Sequence, residues 1–258
     1  MSRLEAIFTP GHLAFIPYIM AGDPDLDTTR AVLDSLAKHG ADAIELGVPY
    51  GDPLADGPAI AAAGARALGN GVTLEKVLTL VRDMHGSLPP VILFTYYNLV
   101  YQFGLQQFAR AAADAGAAGV IVPDISLEEI EPLRLALGAH AIDVPLLVAP
   151  STPPDRAARI AEQSGGFVYV VSRLGVTGAG TAPDSEPLRA QIAALRASTK
   201  KPLAVGFGIS TRAQVDAVRG IADGVIIGSA LIDAYAGARG DEAAHRVSAY
   251  VNELVQAV

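Results

Sequence analysis

The chain has 258 residues, 51% hydrophobic and 18% charged, with 19 Lys plus Arg and a net charge of −8. That apolar content excludes a disordered chain, and an acidic balance without any basic run argues against a surface that coats nucleic acid. Cysteine is absent, which rules out disulfides, zinc–thiolate sites, iron–sulfur clusters and a cysteine nucleophile, and fits a cytoplasmic setting.

Residues 1–7 carry no apolar signal-peptide core. A first apolar run at 13–20 reads as a strand, followed by a helical pattern at 27–39. A second strand at 43–48 runs into a loop with three prolines, 49–58, and a helix is expected at 73–85 behind Thr73 as N-cap. Residues 86–109 are free of charge and long enough to span a bilayer. They include Pro89, Pro90, Asn98 and Gly104, so a buried strand at 91–97 and a helix at 104–115 fit better than a membrane span. A strand at 119–123 leads to Asp124, read as loop or cap chemistry, and to a helix at 127–138 with a capping box from Ser126 and Glu129. Then come a strand at 145–149, a helix at 154–164, a strand at 167–171 and a glycine-rich stretch at 172–183. That stretch lacks a Walker lysine and a full GxGxxG, so it reads as a lid or a long loop. A helix at 186–198, a strand at 202–207, a helix at 211–219 capped by Ser210, a strand at 224–227 and a helical tail at 231–257 complete the chain.

Eight strands alternating with helices in about 250 residues are the count for a (β/α)8 barrel, here one domain over 1–258, with an open doubly wound sheet as the alternative. The period-two alternation of a barrel strand sends Ile44, Leu46 and Val48 toward the helices and Ala43, Glu45 and Gly47 into the barrel. A carboxylate among small inward neighbours is costly unless it is paired or used. On the seventh strand Leu203, Val205 and Phe207 are expected outside and Ala204, Gly206 and Gly208 inside; the eighth offers Gly224, Ile226 and Gly228. Small residues at these two strand ends, with Ser229, fit a phosphate held by backbone N–H groups. The loop 49–58 returns Asp56 toward the end of the strand that carries Glu45. Two carboxylates facing one pocket in different environments suit divided acid–base work. The five histidines are scattered without metal-ligand spacing, so no metal is expected.

Glu45-Leu-Gly-Val-Pro with Asp52-Pro-Leu-Ala-Asp56-Gly-Pro resembles the signature of the tryptophan synthase alpha subunit family. Similar segments recur in order: Pro17-Tyr18, Gly22-Asp23-Pro24, Tyr96-Tyr97-Asn98-Leu99, Ser172-Arg173, Gly175-Val-Thr177-Gly178, Gly206-Phe-Gly208-Ile-Ser210 and Gly228-Ser229. The resemblance implies a TIM barrel that cleaves indole-3-glycerol phosphate to indole and glyceraldehyde 3-phosphate. It implies Glu45 as general acid and base, and Asp56 as acceptor for the indole N–H and stabiliser of the positive charge that develops on the ring. It further implies Tyr18, Phe94, Tyr96 and Tyr169 around the indole, Thr177 closing over the site, and Gly178, Gly206, Gly208, Gly228 and Ser229 on the phosphate. Tyr18 and Tyr50-Gly51 depart from the phenylalanine and phenylalanine-serine common at those positions. No cofactor is implied on this chain. A beta subunit carrying pyridoxal phosphate is the implied partner in an α2β2 assembly that passes indole between sites, with 49–58 and 172–186 as coupling segments. A stand-alone lyase, a non-catalytic regulator of the beta subunit and a phosphosugar isomerase on the same barrel are the competing readings.

Overall fold

The short apolar runs form strands because both of their faces are covered, and parallel strands of this kind read as continuous rather than alternating hydrophobic sequence. In β1 (Ala14–Met20) every residue is buried. A computed structural model describes residues 1–172 and 186–255. The remaining strands are β2 (Ile44–Gly47), β3 (Val91–Phe94), β4 (Gly119–Ile121), β5 (Leu146–Val148), β6 (Val168–Val171), β7 (Leu203–Gly206) and β8 (Gly224–Ile227).

All pairings are parallel, in the order β4-β3-β2-β1-β8-β7-β6-β5. The first and last strands are therefore neighbours, which removes the open-sheet alternative. The remaining seam, between β4 and β5, is closed by one bridge, Gly119 with Asp143. There Val120 N–H donates to Asp143 O at 2.9 Å and Asp143 N–H to Ala118 O at 3.0 Å. The chain is a (β/α)8 barrel.

Around it lie α1 (Leu26–Lys38), α2 (Pro58–Gly69), α3 (Leu74–Asp83), α4 (Tyr97–Phe103), α5 (Leu105–Ala115), α6 (Glu131–Gly138), α7 (Pro154–Gln163), α8 (Glu186–Ser198), α9 (Arg212–Val218), α10 (Ser229–Tyr235) and α11 (Gly240–Val255). Among the described residues no helix is long and apolar enough to cross a membrane.

Two helices lie outside the sequence expectation. α2 starts at Pro58 behind Gly57, a proline-first, glycine-capped start that a run of turn residues conceals. α4 takes over the last residue assigned to the third strand, because Tyr97 N–H donates to Asp124 Oδ1 at 2.9 Å. Asp124 thus supplies cap chemistry, to a helix from another βα unit. The tail is two helices, α10 and α11, parted at Gly237 with φ +76°.

Thr73 caps α3 as expected, accepting from Lys76 N–H. The other two cap assignments change. Ser126 donates its hydroxyl to the Glu129 carboxylate at 2.8 Å, no capping box forms, and α6 begins later, behind Ile130. Thr211 rather than Ser210 caps α9, in a capping box with Gln214.

Candidate active site

The strand alternation carries Glu45 inward. It lines a cavity near the C-terminal ends of the strands, together with Tyr18, Asp56, Phe94 and Tyr169. Glu45 is 1% exposed. Its Oε1 has no hydrogen-bond partner among the described residues. Burial penalises the charged form and pushes its carboxyl up to about 8. The group therefore holds a proton at neutral pH and releases it within reach of physiological conditions.

Two tyrosines flank it, and each depends on an inward glycine. Tyr18 on β1 is the register partner of Glu45, and a Cβ at Gly47 would overlap the Tyr18 hydroxyl. Tyr169 on β6 occupies the corresponding hollow over Gly206. Both hydroxyls are held well above the usual phenol range by burial, and the Glu45 charge adds to the effect. Phe94 meets the Tyr18 ring edge-on, with centroids 5.6 Å apart at 88°.

Asp56 comes from the loop after β2. That loop is pinned: Ala55 N–H donates to Tyr96 Oη at 3.1 Å, and Asp56 N–H to Pro53 O at 3.1 Å. The Tyr96 ring stacks on Tyr50 with centroids 5.0 Å apart, and Asn98 Nδ2 donates to Tyr50 Oη at 3.2 Å. Burial pushes the Asp56 carboxyl up to about 6, against a hydrogen bond from Tyr96 that favours the ionised form. Burial thus raises both carboxyls, Glu45 further than Asp56, and Asp56 is less exposed to solvent than a polar loop implies. At pH 7 it is ionised while Glu45 is protonated.

Gly208, Gly228 and Ser229 also line the cavity. Ser229 opens α10 directly after β8. Backbone N–H groups at a helix start, plus a serine hydroxyl, present donors suited to an anion.

Three expectations change. Gly206 does not line the cavity; its inward face is filled by the Tyr169 hydroxyl. Tyr96 stands behind Asp56 rather than in the cavity wall. Phe207, expected on the outer face, adopts φ +72° as β7 ends and turns into the cavity, 5.8 Å from the Tyr169 ring. Thr177, Gly178 and most of the lid stretch 172–186 lie outside the described residues. Among the described residues no group of three or more His, Cys, Asp or Glu is arranged to hold a metal.

A sequence profile described as "Tryptophan synthase alpha chain" matches residues 4–258. The chain is 49% identical to the tryptophan synthase alpha chain of Prochlorococcus marinus (strain MIT 9313) over 98% of its own length and 92% of that protein. It is 47% identical to that of Gloeobacter violaceus, over 99% and 94%. Among solved structures it resembles Mycobacterium tuberculosis tryptophan synthase (TM-score 0.90, 37% identity, 98% and 96% covered). It also resembles the alpha subunit from Legionella pneumophila (TM-score 0.85, 32% identity, 98% of each chain).

The chain belongs to the tryptophan synthase alpha chain family. It is a lyase of that family, and the barrel with Glu45 and Asp56 in one cavity is the scaffold on which a tryptophan synthase alpha reaction is to be explained. Cavity residues that the sequence reading gave no role are Ala55, Ile60, Ile226 and Phe207, of which Ile226 alone was expected to face inward. Ile60 was hidden with its helix. The glycines on either side of Phe207 mark an irregular strand end, the one signal that its ring need not follow the alternation.

Proposed function

We propose that this chain cleaves indole-3-glycerol phosphate to indole and glyceraldehyde 3-phosphate, with Glu45 moving the protons. The observation that carries this reading is a buried, protonated Glu45 in one cavity with an ionised Asp56. Glu45 gives its proton to indole C3, and the positive charge that appears on the ring is stabilised by Asp56 through the indole N–H. Glu45, now a carboxylate, takes the proton of the glycerol hydroxyl next to the ring. The C–O bond becomes a carbonyl, the carbon–carbon bond breaks, and its electron pair returns to the ring to give neutral indole. No proton is gained or lost overall, and no cofactor on this chain enters the scheme.

Tyr18, Phe94 and Tyr169 surround the indole with Phe207 and Ile60, and Tyr96 positions Asp56. Gly208, Gly228 and Ser229 hold the phosphate together with Gly178 of the lid stretch, and Thr177 closes over the site. Gly206 acts indirectly, by seating Tyr169. Indole then passes to a beta subunit, which carries pyridoxal phosphate, in a cytoplasmic α2β2 complex. The exposed Leu54 on the Asp56 loop and the exposed Tyr101 on α4 offer apolar anchors for that partner beside the catalytic loop.

The test is indole release from indole-3-glycerol phosphate by the chain alone and with a tryptophan synthase beta subunit. Weak release that rises sharply on mixing is expected. Full activity without a partner would favour a stand-alone lyase, and none in either condition would overturn the reaction. Glu45→Gln is expected to lower turnover by about 10²–10⁴-fold with substrate binding retained, whereas a regulatory module would not notice the change.

A further inference from the structure

Tyr18 brings a hydroxyl into a wall that is otherwise mostly apolar, and its position is narrowly defined. Its Cα is in register with that of Glu45 on the neighbouring strand. Its ring rises past Gly228, where a Cβ would lie 3.5 Å from Tyr18 Cβ and Cδ1. It ends with the hydroxyl over the inward face of Gly47. Gly47 is two residues beyond Glu45 and shares its face, so the hydroxyl stands one layer above the Glu45 backbone, toward the cavity mouth. Phe94, the register partner of Gly47, braces the ring edge-on. Both carboxylates oppose ionisation of this phenol, Asp56 more than Glu45, whereas Glu45 alone does so for Tyr169. The Tyr18 hydroxyl thus lies within the field of both acids and remains a neutral donor throughout the working pH range.

In the reading above, Asp56 holds the ring and Glu45 works on the glycerol chain, so the bond that breaks lies between them. We propose that the Tyr18 hydroxyl donates a hydrogen bond to the glycerol oxygen that becomes the aldehyde oxygen. This inference rests on the proposed cleavage. As Glu45 takes the hydroxyl proton, negative charge grows on that oxygen until the carbon–carbon bond breaks and its electrons pass to the ring. A fixed donor aimed at developing charge lowers the barrier more than it tightens ground-state binding. Tyr18 itself neither gains nor loses a proton. The overlap that any side chain at Gly47 would create keeps the donor's seat open.

The experiment is Tyr18→Phe, which removes one oxygen and keeps the ring. It is assayed with indole-3-glycerol phosphate in the complex with a beta subunit, beside the unsubstituted chain and Glu45→Gln. A fall in kcat of about tenfold or more is expected, with KM changed less than about twofold. The dissociation constant for indole-3-propanol phosphate, which lacks the glycerol hydroxyls, should not move. Unchanged kcat would overturn the proposal, as would a loss confined to KM and analogue binding, which marks mere packing. An unsubstituted chain that releases no indole would instead overturn the cleavage reading. Should Tyr18→Phe fail to fold, replacing Tyr18 by 3-fluorotyrosine keeps the shape and strengthens the donor. A changed kcat at constant KM then supports the role, and an unchanged kcat refutes it.

Discussion

Glu45 is the residue where stability and chemistry oppose each other. Burial holds its carboxyl near 8 when folded, against the ordinary glutamate value of 4.5 when unfolded. The folded chain therefore binds the proton more tightly. The associated stability is fully present below pH 4.5 and is lost as pH rises through about 8, by on the order of 5 kcal/mol. Glu45→Gln is expected to flatten that dependence. Urea unfolding should find the variant more stable than the unsubstituted chain at pH 9 and nearly equal to it at pH 4.5; parallel curves would mean that Glu45 is solvated. The rate has the complementary window. Cleavage needs Asp56 ionised and Glu45 protonated at the start, so kcat/KM should rise through about 6 and fall through about 8. Asp56→Asn should lower the rate by at least about tenfold and remove the acid limb. Glu45 was legible because a carboxylate on the inward face of an apolar strand has few other uses. Phe207 was not, because its direction depends on a positive φ that a Gly-Phe-Gly run permits but does not dictate.

At the scale of elements, the position of Asp56 depends on how α2 is moored. Asp23, at the end of β1, is 3% exposed. It accepts from Arg66 on α2 through Nε at 2.7 Å and through a terminal nitrogen at 2.9 Å. Two rigid elements are thereby joined through the last turn of α2, the helix into which the loop carrying the carboxylate runs. Arg66→Ala leaves a buried charge unpaired. Because the guanidinium is 46% exposed, the loss is expected at about 2 kcal/mol, below the range for a wholly buried pair. Chemical denaturation would measure it, and kcat/KM should fall alongside as the Asp56 loop loosens; a stable variant of full activity would show that Tyr96 and Tyr50 moor the loop alone. This mooring could not be read from the sequence, since Asp23 and Arg66 are far apart and the alanines all round α2 mask its buried stripe of Ile60, Ala63, Gly64 and Ala67. The eight strands were legible for the opposite reason, their apolar runs being bounded by glycine, proline and polar residues.

The whole molecule is closed most weakly at the seam between β4 and β5, where one bridge replaces a ladder. The N-terminal segment covers this place. Leu4 is fully buried. A Cβ at Gly119 would lie 2.6 Å from Leu4 Cδ1, and one at Gly166 would lie 2.8 Å from Leu4 Cβ. Leu4 therefore fills the space between the starts of β4 and β6, on either side of the seam, and Arg3 adds a bond to Gly116 O at 3.1 Å. A barrel distributes strain around its ring, so opening one seam loosens neighbouring strands before distant ones. Leu4→Ala removes the plug and leaves a cavity that the two glycines cannot fill, at about 2–5 kcal/mol. Amide exchange is expected to quicken first at Val120 and Asp143, whose N–H groups make the closing bonds, and least at β1, held on both sides. Because Glu45 sits on β2, two strands from the seam, kcat should change little at temperatures where the variant stays folded. Uniform acceleration of exchange around the ring would instead show that the barrel opens as one unit, with the seam no weaker than its ladders.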